Sequence, residues 1–330
     1  MKILIIQTAF IGDVVISTSF IRAVKEVFPD SQVDFILSKA NEQILSNNPK
    51  IKNVFTFRKK RKKVLSFFKI VRQTRKREYA ITFLLHSSTT SALIAFLTGA
   101  KVRVGFDRNL SKYLLTHRVR FDNKNPRVKK NLNLLKPFSK KKFSIQTELF
   151  PSDADYKITN RLLLAVKQKR YVCFAPGSVW ATKMWGADKF AKLARQIVKL
   201  GFAVVLVGSK SEKVVSKKIV GDGIYNFMGK SSILQAACLI ENADSIFCND
   251  SGLMHIANAV GTKVYAFFGP TVQEHGYFPF GRDDLVFQKK ISCRPCGKHG
   301  SQKCKLGHHN CMRKISVDEV FEKFVQGVNK

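Results

Sequence analysis

Short apolar runs alternate with amphipathic stretches along most of this chain, and this alternation limits the fold more than any other feature. Runs rich in Val, Ile and Phe are followed by stretches with apolar residues at helical spacing. Such alternation is typical of β-α-β units, which form a mainly parallel sheet covered by helices. We therefore predict an α/β fold, with a first helix over 14–28 and strands over residues 2–7, 32–37, 53–57, 79–85, 102–106, 171–175, 203–207, 245–248 and 263–267.

The alternation of apolar runs and amphipathic stretches is interrupted between residues 146 and 155. Pro151, Ser152 and Asp153 in this segment are typical turn and cap residues. A chain of 330 residues is also long enough for two domains, each with its own core. We therefore predict two doubly wound domains, 1–150 and 151–330. Ligands of such sheets bind at the carboxyl ends of the strands, so the residues that follow each strand are the candidates for function.

The charge of the chain points to an anionic partner. Lys and Arg number 58 against 23 Asp and Glu, a formal net charge of +35, which suits a nucleic acid, an acidic membrane or an anionic glycolipid. The first residues are expected to form a strand rather than a signal peptide, and no apolar run reaches the length of a membrane span. We expect a cytoplasmic protein with peripheral membrane contact at most.

Much of this charge lies in the predicted first domain. A run of six cations is followed by Val64, Phe67, Phe68 and Val71 at helical spacing, which we expect to pack on the sheet while the cations face an acidic surface. Arg127, Lys129 and Lys130, together with Lys140 to Lys142, are expected to extend the positive field of this domain. The cations of this predicted acceptor and membrane side are Arg58, Lys59, Lys60, Arg61, Lys62, Lys63, Lys129 and Lys130.

The predicted first strand leads into Phe-Ile-Gly-Asp, which ends at Asp13. This carboxylate is expected at a strand-to-helix turn, where it either caps the helix or faces a ligand. No G-x-G-x-x-G follows the strand, so the dinucleotide fingerprint of a dehydrogenase is missing.

Three side chains follow the first two strands of the predicted second domain. Ser178 ends a Pro-Gly-Ser turn that could bind phosphate, and Lys183 either neutralises a diphosphate or is simply solvated. Glu212 enters the next helix, where it suits ribose hydroxyls or compensates the helix dipole.

The segment Asn-Asp-Ser-Gly-Leu-Met-His is the most informative in the chain. A strand, an Asp-Ser-Gly turn and a helix start form an anion site from backbone amides. The histidine is either part of that site or structural. The candidates here are Asp250, Ser251, Gly252, Leu253 and His255.

These segments together resemble glycosyltransferase family 9, the ADP-heptose:lipopolysaccharide heptosyltransferases. The motifs that match are IGDVV, PGS with K-x-W, NDSGLMHIA, FGPT and CRPC followed by CKLGHHNCM, so the resemblance covers nearly the whole chain. The cysteine-containing ending resembles the second heptosyltransferase of the pathway more than the first. The resemblance implies a GT-B fold, in which two Rossmann-like domains face a cleft between them.

The resemblance also implies an activity, namely inverting, metal-independent transfer of L-glycero-D-manno-heptose from ADP-heptose to the inner core of lipopolysaccharide. Asp13 matches the general base and Lys183 the phosphate-binding lysine. Ser178 matches the hydroxyl residue at the phosphate turn, Glu212 the ribose-binding acid, and Ser231 falls near the adenine site. Residues 250–255 match the segment that binds sugar and diphosphate. The implied acceptor is Kdo-lipid A or its heptosylated form at the inner membrane surface, and no cofactor is required.

Other interpretations remain open. Another nucleotide sugar or acceptor would suit the same motifs. A nucleic-acid-binding protein would suit the charge, but no recognition module is evident and no nucleic acid partner is expected. The four cysteines Cys293, Cys296, Cys304 and Cys311 have the order of zinc ligands, and they are equally well explained as reduced thiols.

Overall fold

The computed structural model describes residues 1–58, 63–167 and 170–329. The chain divides into two compact units, Met1–Phe150 and Pro151–Lys330. The second unit begins with a reciprocal cap, because Ser152 accepts a hydrogen bond from the amide of Asp155 while the Asp155 carboxylate accepts one from the amide of Ser152. This cap starts the first helix of the unit.

The first unit is a parallel sheet with the order β3-β2-β1-β4-β5-β6, six strands in the described residues. Its strands are β1 (Lys2–Gln7), β2 (Gln32–Ser38), β3 (Asn53–Phe57), β4 (Ile81–Leu84), β5 (Val102–Phe106) and β6 (His117–Val119). Its α-helices are α1 (Ile11–Val27), α2 (Lys63–Arg75), α3 (Thr89–Leu97) and α4 (Arg127–Leu132). Short 3₁₀ helices cover Lys39–Leu45, Leu110–Leu114 and Asn133–Leu135.

The second unit repeats this plan with the order β12-β11-β10-β7-β8-β9, again parallel throughout the part that is described. Its strands are β7 (Tyr171–Ala175), β8 (Ala203–Leu206), β9 (Ile224–Asn226), β10 (Ile246–Asn249), β11 (Val264–Phe268) and β12 (Leu285–Gln288). Its α-helices are α5 (Asp153–Leu163), α6 (Ala187–Lys199), α7 (Ile233–Glu241), α8 (Gly252–Val260), α9 (Asn310–Arg313) and α10 (Val317–Val328). Its 3₁₀ helices are Ala181–Lys183, Lys210–Lys218 and Gln273–His275.

The central strands are apolar on both faces because helices cover both sides of each sheet. All residues of β1 except Lys2 are buried, and β1 pairs in register with β2 on one side and with β4 on the other. In the second unit, Phe174 of β7, Phe247 of β10 and Phe267 of β11 are fully buried in one core. The predicted α/β class with two parallel sheets is therefore confirmed.

The strand order reverses once in each sheet, between β1 and β4 and between β10 and β7. Loops on the two sides of such a reversal leave in opposite directions and open a crevice at the carboxyl ends of the strands. Asp13 follows β1, and Asp250 follows β10. Both candidates therefore lie at the position where each sheet is expected to bind a ligand.

The structure corrects three details of the predicted elements. The short strands β6, β9 and β12 were not predicted. The first helix begins at Ile11 instead of residue 14, so Asp13 lies in its first turn and is not the N-cap, a position held by Phe10. The apolar residues of α2 were expected to pack on the sheet, and Phe67 and Val71 do so, but Val64 and Phe68 are exposed.

Within the described residues, no helix is both long and apolar enough to span a membrane.

Candidate functional site

Lys183 and Asp250 form a nearly buried ion pair at the strand reversal of the second unit. Lys183 Nζ lies 2.6 Å from Oδ2 of Asp250, and the two side chains are 12% and 9% exposed. The hydroxyl of Thr271 donates a hydrogen bond of 2.6 Å to the same carboxylate oxygen. Thr271 ends the FGPT turn that was identified in the sequence, where no separate role was assigned to it.

Asn249, the last residue of β10, ties three loops together. Its side-chain oxygen accepts a hydrogen bond from the amide of Trp185, and its side-chain nitrogen donates to the carbonyl groups of Pro176 and Gly177. Since Asn249 directly precedes Asp250, one amide side chain links the Pro-Gly-Ser turn and the Lys183 segment to the aspartate loop.

Trp185 anchors the segment that carries Lys183. Its ring stacks on Phe267 with centroids 4.1 Å apart, and its Nε1 donates to the carbonyl of Ile315. The core therefore holds the main chain two residues after the lysine, which limits where the ammonium group can lie.

Helix α8 begins at Gly252, directly after the ion pair. Ser251 precedes it in an extended conformation, and its side chain makes no capping hydrogen bond within the described part of the chain. The first amides of an α-helix have no partner inside the helix, so this terminus suits an anion. Leu253 is partly exposed in the same turn. His255 is 4% exposed, and its ring centre lies 6.2 Å from that of Tyr277.

Two other predicted donor residues have local structural partners. The hydroxyl of Ser178 accepts a weak hydrogen bond of 3.3 Å from the amide of Trp180. The Glu212 carboxylate accepts hydrogen bonds from the amide and the hydroxyl of Ser209 in a reciprocal cap. A side chain on Gly177 would come within 2.7 Å of Glu212, so this turn and this carboxylate are in close contact.

Ser231 lies immediately before Ser232, which caps α7 together with Gln235. The Ser231 hydroxyl oxygen is buried and has no hydrogen-bond partner among the residues that the structure describes. A buried hydroxyl of this kind retains capacity to bind a polar group of a ligand.

The cysteine-rich segment packs on the loop that carries Lys183. Thr182 and Ser301 exchange hydrogen bonds in both directions, and His309 Nε2 lies 2.7 Å from the carbonyl oxygen of Thr182. A side chain on Gly300 would come within 2.7 Å of Trp180 and 2.9 Å of Lys183. The segment thus supports the Lys183 loop from outside.

The zinc interpretation of this segment gains no support. In residues 1–58, 63–167 and 170–329, no three His, Cys, Asp or Glu side chains are grouped as metal ligands would be. Cys311 lies in the hydrophobic core, where burial raises the pKa of its thiol. Cys293, Cys296 and Cys304 remain closer to the surface as free thiols.

In the first unit, Asp13 lies beside a buried arginine. Asp13 is 7% exposed and Arg127, the first residue of α4, is 8% exposed, with Nε of the arginine 3.8 Å from Oδ1 of the carboxylate. Arg127 also donates a 2.6 Å hydrogen bond to the carbonyl of Leu85, just after β4. The guanidinium therefore spans the strand reversal between β1 and β4.

Three cations surround the ring of Phe121 next to this pair. The charged groups of Arg108, Lys130 and Arg127 lie 4.2, 4.9 and 6.0 Å from the ring centre. Lys130 was expected to add to a surface field, but it is 4% exposed. Its burial, with Arg127 as a second cause, lowers the pKa of its ammonium group. Lys129 is exposed as expected.

The edge beside Asp13 carries further polar groups that the sequence did not single out. The Thr8 hydroxyl lies 2.9 Å from Nδ1 of His86 and 3.3 Å from the hydroxyl of Ser91. Thr8 follows β1 and His86 follows β4 closely, so the criterion of residues after strands would have found both.

The predicted cluster at residues 58–63 falls mainly on residues 59–62, which lie outside the described residues.

The chain is similar to known proteins in family, sequence and structure. The profile of glycosyltransferase family 9 (heptosyltransferase) matches residues 67–306. Lipooligosaccharide heptosyltransferase 2 of Haemophilus ducreyi is 27% identical over 354 aligned positions, which cover 99% of each chain. Lipopolysaccharide heptosyltransferase 2 of Escherichia coli is 26% identical over 82% of this chain and 83% of its own length.

Solved structures share the fold over almost the whole chain. The family 9 glycosyltransferase of Veillonella parvula superposes with a TM-score of 0.88 at 19% identity, covering 98% of this chain and 96% of its own. The ADP-heptose lipopolysaccharide heptosyltransferase II of E. coli superposes with a TM-score of 0.81 at 23% identity, covering 99% and 98%. These likenesses confirm the predicted GT-B fold class. Because the family profile matches well over half of the length of this chain, the chain belongs to glycosyltransferase family 9, the heptosyltransferases.

Proposed function

We propose that this enzyme transfers L-glycero-D-manno-heptose from ADP-heptose to the inner core of lipopolysaccharide, with inversion at the transferred carbon and without a metal ion. An acceptor hydroxyl oxygen forms a bond to the anomeric carbon while the bond from that carbon to the diphosphate breaks. The hydroxyl proton passes to a carboxylate, and ADP leaves with the bonding electron pair. The names of the relatives, which include ADP-heptose, lipopolysaccharide and lipooligosaccharide, support the donor and the acceptor class.

The observation that carries the proposal is the grouping of Lys183, Asp250 and the start of α8 at one strand reversal. A lysine held by the core and a helix N-terminus both stabilise the negative charge that grows on the leaving diphosphate. Asp250 balances the charge of Lys183, so the protein supplies hydrogen-bond donors from the ammonium group and the helix amides rather than a net positive charge. Donors of this kind support a metal-independent reaction.

The second unit, 151–330, is proposed as the donor domain. Lys183, Ser178 and the amides around Ser251, Gly252 and Leu253 would bind the diphosphate. Asp250 and His255 would border the heptose, Glu212 the ribose and Ser231 the adenine. The close approach of Gly177 to Glu212 supports this order, because it brings the phosphate turn and the ribose carboxylate together.

The first unit, 1–150, is proposed as the acceptor domain, with Asp13 as the general base. Asp13 lies in the first turn of α1, directly after β1, so its carboxylate belongs to the edge of the sheet where a ligand is expected. Arg127 holds this carboxylate in place and, with Arg108 and Lys130, offers positive charge to an anionic acceptor. Kdo-lipid A and its heptosylated form carry carboxylates and phosphates that suit these cations.

Such an acceptor places the enzyme on the cytoplasmic side, at the inner leaflet of the cytoplasmic membrane. The high positive charge of the chain, including the cluster at residues 58–63, would draw it to this anionic surface.

The proposal is tested by incubating the purified enzyme with ADP-heptose and delipidated inner-core acceptor, with and without EDTA. We expect transfer that EDTA does not reduce, and a product whose anomeric configuration is opposite to that of the donor. Retained configuration or loss of transfer with EDTA would disprove the mechanism. Transfer only from a different nucleotide sugar would replace the donor and leave the role of the two units intact.

A further inference from the structure

The first unit exposes a set of large apolar side chains on three elements that pack in series. Helix α2 packs against α3, and α3 packs against the 3₁₀ helix Leu110–Leu114. We call their exposed apolar residues the apolar face, which consists of Val64, Leu65, Phe68, Leu93, Phe96, Leu110 and Tyr113. The three on α2 are each 64–66% exposed, and Leu110 and Tyr113 are 69% and 67% exposed.

The exposed apolar side chains of α2 are additional to those that α2 packs against the core of the unit. Ile70 and Thr74 of α2 are buried, and Phe67 and Val71 pack against the core of the unit. Helix α2 therefore already has an inward side, and Leu65 and Phe68 form a second apolar side toward solvent. A helix that is apolar on its outer side needs a partner, because solvent contact with such a patch is unfavourable.

The charged residues in the three elements that carry the apolar face are all cations. Helices α2 and α3 and the 3₁₀ helix contain no acidic residue, whereas α2 carries Lys63, Lys69, Arg72 and Arg75. Beside α2, an open groove of about 460 Å³ is lined by Lys39, Arg58 and Lys69 together with residues of β3. Two acids near these elements, Glu42 and Asp107, form ion pairs with Lys39 and Lys112, and a third, Glu78, is exposed three residues after the end of α2.

Exposed apolar side chains surrounded by cations describe a surface that lies on an anionic bilayer. The apolar groups enter the boundary between headgroups and acyl chains, and the cations remain at the phosphates. A second copy of this chain is a poorer partner, because a symmetric contact would bring the four cations of each α2 toward those of the other.

We propose that the apolar face docks on an anionic phospholipid bilayer, with Leu65 and Phe68 inserted below the headgroups and Arg58, Lys69 and Arg72 at lipid phosphates. The inference rests on the proposed function, since the glycolipid acceptor would lie in the same bilayer. It adds that apolar insertion, and not charge alone, holds the enzyme there.

The test is co-sedimentation of the full chain with vesicles, in the absence of donor and acceptor. Vesicles of phosphatidylcholine with phosphatidylglycerol are compared with vesicles of phosphatidylcholine alone. We expect the natural protein to bind the anionic vesicles at least about tenfold more strongly. The double variant Leu65→Ser/Phe68→Ser should lose about tenfold in binding to anionic vesicles, even at low salt.

A matched pair of surface substitutions in the second unit serves as control. Leu164 and Val214 are 85% and 71% exposed, so Leu164→Ser/Val214→Ser removes similar apolar area from a different surface and should bind as the natural protein does. The variant Lys69→Gln/Arg72→Gln should lose binding mainly at low salt, because salt already screens the charges at high concentration. Circular dichroism and thermal unfolding confirm that each variant is folded.

Unchanged vesicle binding by Leu65→Ser/Phe68→Ser would overturn the proposal, as would equal binding of the natural protein to neutral and anionic vesicles. The face would instead be a self-association surface if the natural protein is a dimer, Leu65→Ser/Phe68→Ser is a monomer, and both bind vesicles equally well. Transfer to a delipidated acceptor in solution is measured in parallel and should not change in the variant. If neither the natural protein nor the variant transfers heptose to the delipidated acceptor, the proposed function fails. The vesicle measurements still decide the membrane inference in that case.

Discussion

The ammonium group of Lys183 and the carboxylate of Asp250 form a 2.6 Å ion pair in a setting that excludes most solvent. The lysine proposed to bind the diphosphate is therefore also the partner of a buried negative charge. Each residue changes what the other does to a bound diphosphate, because interactions between buried charges are poorly screened.

The first prediction concerns Lys183→Ala. Loss of a charged hydrogen-bond donor should weaken ADP binding by about 1.5–3 kcal/mol, or roughly 10–150-fold in Kd. The remaining Asp250 carboxylate would then repel the diphosphate, so Lys183→Ala/Asp250→Asn should bind ADP more tightly than Lys183→Ala alone. Calorimetry of the double-mutant cycle measures both effects. Purely additive losses would show that the two residues do not act together on the diphosphate.

The second prediction concerns the proposed base. Asp13→Asn should lower turnover by about 10²–10⁴-fold and leave ADP affinity unchanged, because the carboxylate serves the acceptor proton. Single-turnover kinetics and calorimetry measure the two quantities. Arg127→Lys provides the comparison, since it keeps a positive charge near Asp13 but disrupts the hydrogen bond to Leu85. It should lower turnover less than Asp13→Asn does, and near-normal turnover of Asp13→Asn would remove this residue from the mechanism.

The third prediction concerns Gly300, which touches the Lys183 loop from the cysteine-rich segment. A new Cβ would come within 2.9 Å of Lys183 and 2.7 Å of Trp180, and such overpacking typically costs about 1–3 kcal/mol. Gly300→Ala should therefore weaken ADP binding even though the residue lies outside the proposed site. Ser301→Ala keeps the main-chain hydrogen bonds with Thr182 and should bind ADP normally. Equal affinities of the two variants would mean that the segment does not position Lys183.

The fourth prediction separates two roles of Glu212. Its carboxylate caps the 3₁₀ helix Lys210–Lys218 through Ser209, so Glu212→Ala should cost about 1 kcal/mol of stability for the cap alone. Glu212→Gln keeps an acceptor for Ser209 and should retain most of that stability. If Glu212 also binds ribose, the natural protein should prefer ADP over 2′-deoxy- and 3′-deoxy-ADP, and Glu212→Gln should reduce this preference. An unchanged preference would leave the residue a purely structural cap.

The sequence was sufficient to predict the central strands and one edge strand, β3, but not the other three edge strands. Strand β1 has the predicted bounds, because a buried parallel strand is a continuous apolar run. Strands β6, β9 and β12 were missed because each has only three or four residues and none of these residues is fully buried. All three lie at sheet edges, where one face or end remains in contact with solvent and the apolar signal is weak.

The site residues that follow strands could be selected from the local sequence, whereas contacts between distant residues could not. Asp13 and Asp250 were selected as candidates because each follows a predicted strand, which is a local rule, and the structure puts both at strand reversals. Arg127 was not found as a partner of Asp13, because it reaches the carboxylate only through the packing of α4 against α1, 114 residues later in the chain. Lys130 was placed on the surface for the same reason, since no local pattern reports its burial under Phe121.

The three hydrogen bonds of Asn249 have a consequence for the thermodynamics of donor binding. Loops that are free to move lose conformational entropy when a ligand orders them, and this loss reduces affinity. Here the Pro-Gly-Ser turn, the Trp185 segment and the aspartate loop share one amide as an anchor, so most of that loss occurs when the protein folds. Donor binding should accordingly carry only a small entropic penalty from the loops, and the affinity should depend on the pairing of charges.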